Sequence, residues 1–304
     1  VYTWNDYNGN GIEELDEFEV AAFQDQANYI KVWQTGNEYI NTYNNQFLQT
    51  IQLRPANVWA NKKGIKGVLA RFSNTTTFKT VQKNTFTHNA NAINPFYFKY
   101  EDSNLVSSNL AFINTLTYNH KSVFGIDFTV QVNKNKSLLY YGTDMGGYNM
   151  QQLVVRGNPC DFLSLKTDYA HSEKSNYSQF MSSRSYRIEM HHTTTEVDFH
   201  YKNKLFVQLS YLFFHKRNRL EFQKAIQHKV NLEVKYKMLK KGNLIADVAY
   251  INMNYNDVEN TSLSYEMLDG LSVGHNMTWN VKYEANITDF LQLNLLYQGR
   301  YTQG

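Results

Sequence analysis

The chain has 304 residues and a formal net charge of +3, and its 30 Lys and Arg are scattered rather than massed, which excludes a nucleic-acid footprint. Charged residues make up 19%, below the roughly 25% of an ordinary soluble domain, while aromatic residues reach 15% with 23 Tyr, a residue suited to apolar–water boundaries. Only three prolines occur and no apolar run approaches the ~18 residues of a membrane helix, so paired strands, which proline interrupts, are the expected building block; the mean hydropathy of −0.55 is compatible with strands apolar on one face only.

The chain starts with a motif. Asp6-Tyr7-Asn8-Gly9-Asn10-Gly11-Ile12-Glu13-Glu14-Leu15-Asp16-Glu17 puts oxygen side chains at positions one, three, five, nine and twelve, with glycine at six. That is the spacing of an EF-hand-type calcium loop, because a hard cation needs six to eight oxygens and alternate residues of a tight turn can supply them. The expected Ca2+ ligands are Asp6, Asn8, Asn10, the main-chain carbonyl of Ile12, Glu14 and Glu17, with Gly11 allowing the sharp bend. Glu13 stands where an apolar residue is usual, and no helix pattern precedes the loop; the motif is similar to the single extracellular loops of dockerin-like and thrombospondin-type-3 repeats. A short helix is expected after it, with Leu15, Phe18 and Ala22 on one face. The ion is expected to be structural rather than a signal.

A strand is expected over about 37–53, and from about residue 67 the pattern turns to period two. Apolar residues alternate with polar ones at Phe124, Ile126, Phe128, Val130 and Val132, and at Leu205, Val207, Leu209, Tyr211 and Phe213. The same holds at Val230, Leu232, Val234, Tyr236 and Met238, at Met277 through Ile287, and at Leu291, Leu293, Leu295 and Tyr297. Each apolar face is about ten residues long, enough to cross a bilayer at a tilt near 45°. Short links at Asn119–Lys121, Lys202–Lys204, Leu239–Gly242 and Thr288–Asp289 alternate with long ones at about 135–147, 173–183, 217–225 and 257–274. Such a meander is expected of a transmembrane barrel with tight periplasmic turns and larger outside loops. Lys235, Lys282 and Glu284 predict a polar interior, and phase changes near His192 and Tyr250 predict a bulge in each of those strands. Cys160 is alone and reads as a half-buried small side chain.

Catalytic chemistry has weak support. Glu196, Asp198 and His200 alternate on one strand and would face one side, but no motif places a nucleophile or a second histidine beside them. His191 and His192 are adjacent and would point to opposite faces, so they cannot share an ion.

Trp4 through Gly11, Glu17-Phe18-Glu19, Asp25 through Ile30, Thr261 through Gly270 and Leu291 through Arg300 together resemble large uncharacterised outer-membrane proteins of Bacteroidota, loosely in the middle and well at both ends. The resemblance implies an exported protein whose last third is a barrel, and it implies location more than activity. With no leader ahead of Val1, the chain reads as the carboxy-terminal part of a larger protein.

The expectation is therefore an all-β, antiparallel up-and-down transmembrane β-barrel of about 12 or more strands over 37–304, preceded by a calcium loop and short helix over 1–36. Its expected place is the outer membrane of a Gram-negative bacterium, calcium loop outside, with outer-membrane lipid and other envelope proteins as partners and no nucleic acid. The expected role is a non-enzymatic channel, translocation component or scaffold of an envelope complex. A calcium-stabilised surface-binding or adhesion protein is the alternative, and an outer-membrane hydrolase the second alternative.

Overall fold

The computed structural model describes residues 1–32, 39–85, 94, 96, 103–119, 122–139, 142–202, 204–238, 242–288 and 290–303. Two short strands, β1 (Tyr2–Trp4) and β2 (Phe18–Val20), pair antiparallel around the Asp6–Glu17 loop, and Tyr2 also bridges to Tyr29. The loop is followed by a single 3-10 turn at Leu15–Glu17 and then by β2, not by the expected α-helix. The cause is local: Phe18 is held edge-on against Tyr29 at 5.0 Å, and extended backbone at 18–20 completes the ladder with β1.

Twelve strands form one antiparallel sheet in which every strand pairs with its neighbours in sequence. They are β3 (Tyr43–Leu53), β4 (Phe72–Asn84), β5 (Leu105–Tyr118), β6 (Phe124–Leu139), β7 (Gly142–Cys160), β8 (Leu163–Ser178), β9 (Tyr186–Tyr201), β10 (Leu205–Asn218), β11 (Lys224–Met238), β12 (Gly242–Tyr255), β13 (Gly274–Thr288) and β14 (Leu291–Thr302). Strands β3 and β14 are the two edges. The expected strand at 37–53 begins at Tyr43 among the described residues, and the segment near Gly67 is not yet strand. There α1 (Ala56–Trp59) and α2 (Ile65–Leu69) occupy the β3–β4 connection, and β4 starts at Phe72.

Two connections expected to be long are strand instead. Residues 135–147 belong mostly to β6 and β7, which pair as far as Leu139 with Gly142, and residues 173–178 extend β8. Polar strand ends such as Lys134-Asn135-Lys136 resemble a loop in composition because they continue past the apolar stretch of the same strand. The 256–273 connection is long as expected, and carries a third helix, α3 (Ser262–Met267), started by a Thr261 cap whose hydroxyl accepts from the Ser264 N–H at 3.0 Å. The alternation of short and long links is therefore only partial, with 54–71 long at one end and 140–141 short at the other.

Continuous cross-strand register assigns each side chain to a face. The five apolar runs of β6, β10, β11, β13 and β14 all fall on one face, here the outer face, together with Leu153, Leu165, Tyr169, Phe199, Val248 and Tyr250. These side chains remain exposed, Leu209 by 50%, Val230 by 43% and Leu295 by 55%, so no layer formed by the described residues covers them. On the outer face of β3 and β4, Phe96 of the β4–β5 connection packs on Phe47 and Phe78 at 5.4 and 5.6 Å.

The opposite, inner face is polar at one end and apolar at the other. At the apolar end Ile188, Ala225, Ala249, Ile251, Met253 and Tyr255 form a buried cluster with Met267, Leu268 and Leu271 of the 256–273 connection, and Phe23 packs on it. This end is called the capped end below. It explains both phase changes. No register shift occurs in β9 or β12, so the expected bulges near His192 and Tyr250 are absent. The strands keep one phase throughout, while the inner positions change from polar to apolar where the cap lies on them. Irregularities occur only near strand ends, at Lys83/Asn84, Gly157/Cys160 and Asn286/Thr288. Cys160 is free and exposed rather than half-buried.

Candidate functional site

The loop at 6–17 is folded by its own side chains. The Asp6 carboxylate accepts from the N–H groups of Gly9, Asn10 and Gly11 at 2.7, 3.2 and 2.9 Å. Asn8 Oδ1 accepts from Asn10 N at 2.9 Å, and Asn10 Oδ1 from Ile12 N at 2.6 Å. Gly9 and Gly11 take φ of 72° and 70°, the left-handed region that side chains disfavour, so the expected role of Gly11 holds and Gly9 shares it. Glu14 Oε2 accepts from Asn8 Nδ2 at 2.6 Å. Glu17 is 2% exposed and accepts from the Trp4 indole at 2.8 Å and from Tyr7 N at 3.2 Å, which ties the last loop position to the first strand.

Among the described residues, Asp6, Glu14 and Glu17 do not form a group of three carboxylates with ligand atoms within 4.8 Å of one another, so the loop's oxygens are ordered by its own N–H groups rather than gathered at one point. A carboxylate has about four lone-pair directions and an amide oxygen two. Two are used on Asp6 Oδ1 and one each on Asp6 Oδ2, Asn8 Oδ1 and Asn10 Oδ1, so Asp6 Oδ2 and the two amide oxygens keep one acceptor direction each while Asp6 Oδ1 is filled. The Ile12 side chain is exposed by 62%.

The loop is anchored to the capped end of the large sheet by the segment that follows it. Arg184, in the β8–β9 connection, donates to the Phe18 carbonyl at 3.0 Å and pairs with Glu19 at 3.3 Å. The Ala22 N–H donates to Tyr265 Oη at 2.8 Å, Asn260 donates to the Asp6 carbonyl at 3.4 Å, and Arg300 pairs with Asp25 at 3.3 Å while lying over the Phe23 ring. Burial pushes the Glu19 carboxyl above its usual range, opposed by the Arg184 charge, and burial likewise raises the Tyr7 phenol, whose hydroxyl lies 3.4 Å from Glu19. The 256–273 connection is held in the same way. Lys216 of β10, almost fully buried, pairs with Asp269 at 2.7 Å, and Lys174 of β8 pairs with Glu266.

Away from the cap the inner face is a field of ion pairs. Arg156 meets Asp127 at 3.0 Å, Lys166 meets Glu196 at 3.0 Å, Lys235 meets Glu233 and Lys282 meets Glu284 at 2.5 Å each. The expected polar positions Lys235, Lys282 and Glu284 lie there. Glu196, Asp198 and His200 share this face as read from the sequence, but they do not converge: Glu196 is tied to Lys166, and His200 is exposed with its ring 5.0 Å from Phe206.

His191 and His192 point to opposite faces, as expected. His192 lies inward, 3.5 Å from Asp168. His191 lies outward, directly across from His171 on β8 and His215 on β10, so that three histidines form one row over three strands. Sequence reasoning missed this row. Its signal lies in hairpin register: His171 and His191 are nearly equidistant from the β8–β9 turn. No protein-family model matches the chain, and no curated protein matches it.

Proposed function

We propose that the chain forms a membrane-spanning outer-membrane β-barrel, without enzymatic activity, whose interior is closed at the capped end by residues 1–32 and the 256–273 connection. The observation that supports this reading most is the reversal of the usual pattern: away from the capped end the exposed face is apolar and the inner face is charged and ion-paired. A water-soluble sheet would bury the first and expose the second. Strands of 14 to 16 residues such as β5, β6, β8, β9 and β10 are longer than the ~9–11 residues a tilted strand needs to cross a bilayer. The filled capped end favours a gated translocation component or a scaffold over an open pore, with lipid and other envelope proteins as partners. The capped end, which carries the 256–273 connection, is then the extracellular side.

Trp279, on the outer face of β13, is the reporter for this reading. In vesicles of brominated lipid its fluorescence is expected to be quenched, and Trp279→Phe to remove most of the quench; no quenching in correctly reconstituted protein overturns the membrane assignment. Gating is read separately in planar bilayers, where deletion of residues 1–32 is expected to raise conductance over the intact chain.

The same reading makes the loop a structural Ca2+ site, with Asp6, Asn8, Asn10, the Ile12 carbonyl, Glu14 and Glu17 as ligands. Binding at roughly 10⁻⁴ to 10⁻³ M is expected, as for single extracellular sites. Chelation should speed proteolysis within residues 1–32, and Asp6→Asn should abolish the response to added Ca2+.

A further inference from the structure

The outer face carries a cluster that neither the barrel nor the calcium loop uses. His171, Glu189 and His191 bring one ligand atom each to within 4.8 Å of one another, the one such group of His, Cys, Asp or Glu side chains found among the described residues. Both imidazole Nε2 atoms lie 3.9 Å from the same oxygen, Glu189 Oε1. We propose that His171, Glu189 and His191 form a site for a borderline divalent transition-metal ion, of the Zn2+, Ni2+ or Cu2+ class, with His215 available as a further ligand.

The geometry comes from the sheet. His171 and His191 are direct cross-strand partners on β8 and β9, and Glu189 precedes His191 by two residues on the same face. Their rings are 4.6 Å apart, and the His215 ring is 6.5 Å from that of His191. Ligand atoms about 2.0–2.1 Å from a tetrahedral ion sit about 3.4 Å from each other, so the site closes by a contraction of about half an ångström on each His–Glu189 distance and of at most about 1.4 Å between the two imidazoles, within reach of side-chain rotation. His191 is already oriented, because its Nδ1 is 2.9 Å from the Tyr169 hydroxyl, the outer contact that fixes ring direction and leaves Nε2 toward Glu189. Two imidazoles and one carboxylate suit a borderline cation; a hard ion such as Ca2+ would not select them.

One cation already touches the site. Arg219 Nη2 lies 2.7 Å from Glu189 Oε1, on a side chain 46% exposed. It competes with the metal and is free to swing into solvent when displaced. That competition gives the proposal a signature which a nonspecific histidine patch lacks: removing the guanidinium should tighten binding.

The test is a Zn2+ titration of the full chain, free of any histidine tag, by calorimetry in detergent micelles. One saturable equivalent per chain is expected. His171→Ala and His191→Ala should each weaken it at least tenfold, and Arg219→Gln should tighten it several-fold. His228→Ala, whose ring sits with Tyr211 at 2.8 Å on the next hairpin, should leave it unchanged. A measurement on the unaltered protein removes any dependence on variant folding: Cu2+ added at one equivalent should show electron paramagnetic resonance couplings to at least two imidazole nitrogens. Binding that does not saturate, equal affinity in His191→Ala and wild type, or a copper spectrum without imidazole coupling would each overturn the proposal. The outcome is independent of the membrane assignment, since the row is partly exposed on the outer face in either case.

Discussion

At the capped end the inner face presents Ile188, Ala249, Ile251, Met253 and Tyr255 to a covering layer made by residues 1–32 and 256–273. At the far end β9 presents Glu196 and Asp198, β11 and β13 present Glu233, Lys235, Lys282 and Glu284, and side chains of the sheet pair with one another. The difference shows that one strand can carry two interiors in series without any change of backbone phase. What changes is only what lies above it.

The comparison can be broken most severely at Gly270. It takes a φ of 72°, and a Cβ there would fall 2.5 Å from the Ala22 Cβ, at the meeting of the two capping segments. Gly270→Val combines left-handed strain with overlap, expected to cost about 3–5 kcal/mol of cap stability. Amide exchange over residues 1–32 and 256–273 should accelerate, while exchange at the far end stays as in the parent.

The Lys216–Asp269 pair sharpens the comparison by its asymmetry. Asp269→Ala leaves the buried Lys216 charge without its partner and should cost about 3 kcal/mol. Lys216→Met leaves only a half-exposed carboxylate and should cost ~1 kcal/mol, because the methionine stays in apolar contact. Denaturant unfolding of both variants checks the order; equal losses would mean that the lysine is hydrated.

A pH titration comes next. Burial raises the Glu19 carboxyl above its ordinary value of 4.5, so the folded cap binds more protons than the released segment between the two values. Glu19's contribution is thus fully present below about 4.5 and is lost as pH climbs through the folded value. Protease protection of residues 1–32 should fall over that interval, and Glu19→Gln should flatten the profile. The smallest effect is expected at the far end, where Lys166→Ala, removing an exposed partner of Glu196, should change stability by under ~1 kcal/mol.

Much of the sheet was legible in the sequence, because side-chain alternation is a local property and all five apolar runs fall on one face. The misreadings share a cause. Polar strand ends at 134–136 look like loops, since composition cannot tell a strand that has left an apolar zone from one that has ended. The phase changes near His192 and Tyr250 were visible, but their origin in a third layer is a contact between residues far apart in the chain. The tight turn at Gly9 and Gly11 was legible in the glycine spacing; the extended backbone after the loop was not, because it depends on Tyr2 and Tyr29. The histidine row required the pairing of β8, β9 and β10, and no motif within one strand carries it.

The cap joins the two ends of the chain. Ala22 reaches Tyr265 across 243 positions, Asp6 reaches Asn260 across 254 and Asp25 reaches Arg300 across 275, whereas every pairing in the large sheet joins neighbours. Hairpins can therefore zip in sequence with little loop-closure cost, but residues 1–32 have nothing to settle on until β12, β13 and the connection between them exist. Their seating waits on those elements, and protection of residues 1–32 is a record that the partners they rest on, from Asn260 to Arg300, have been put in place.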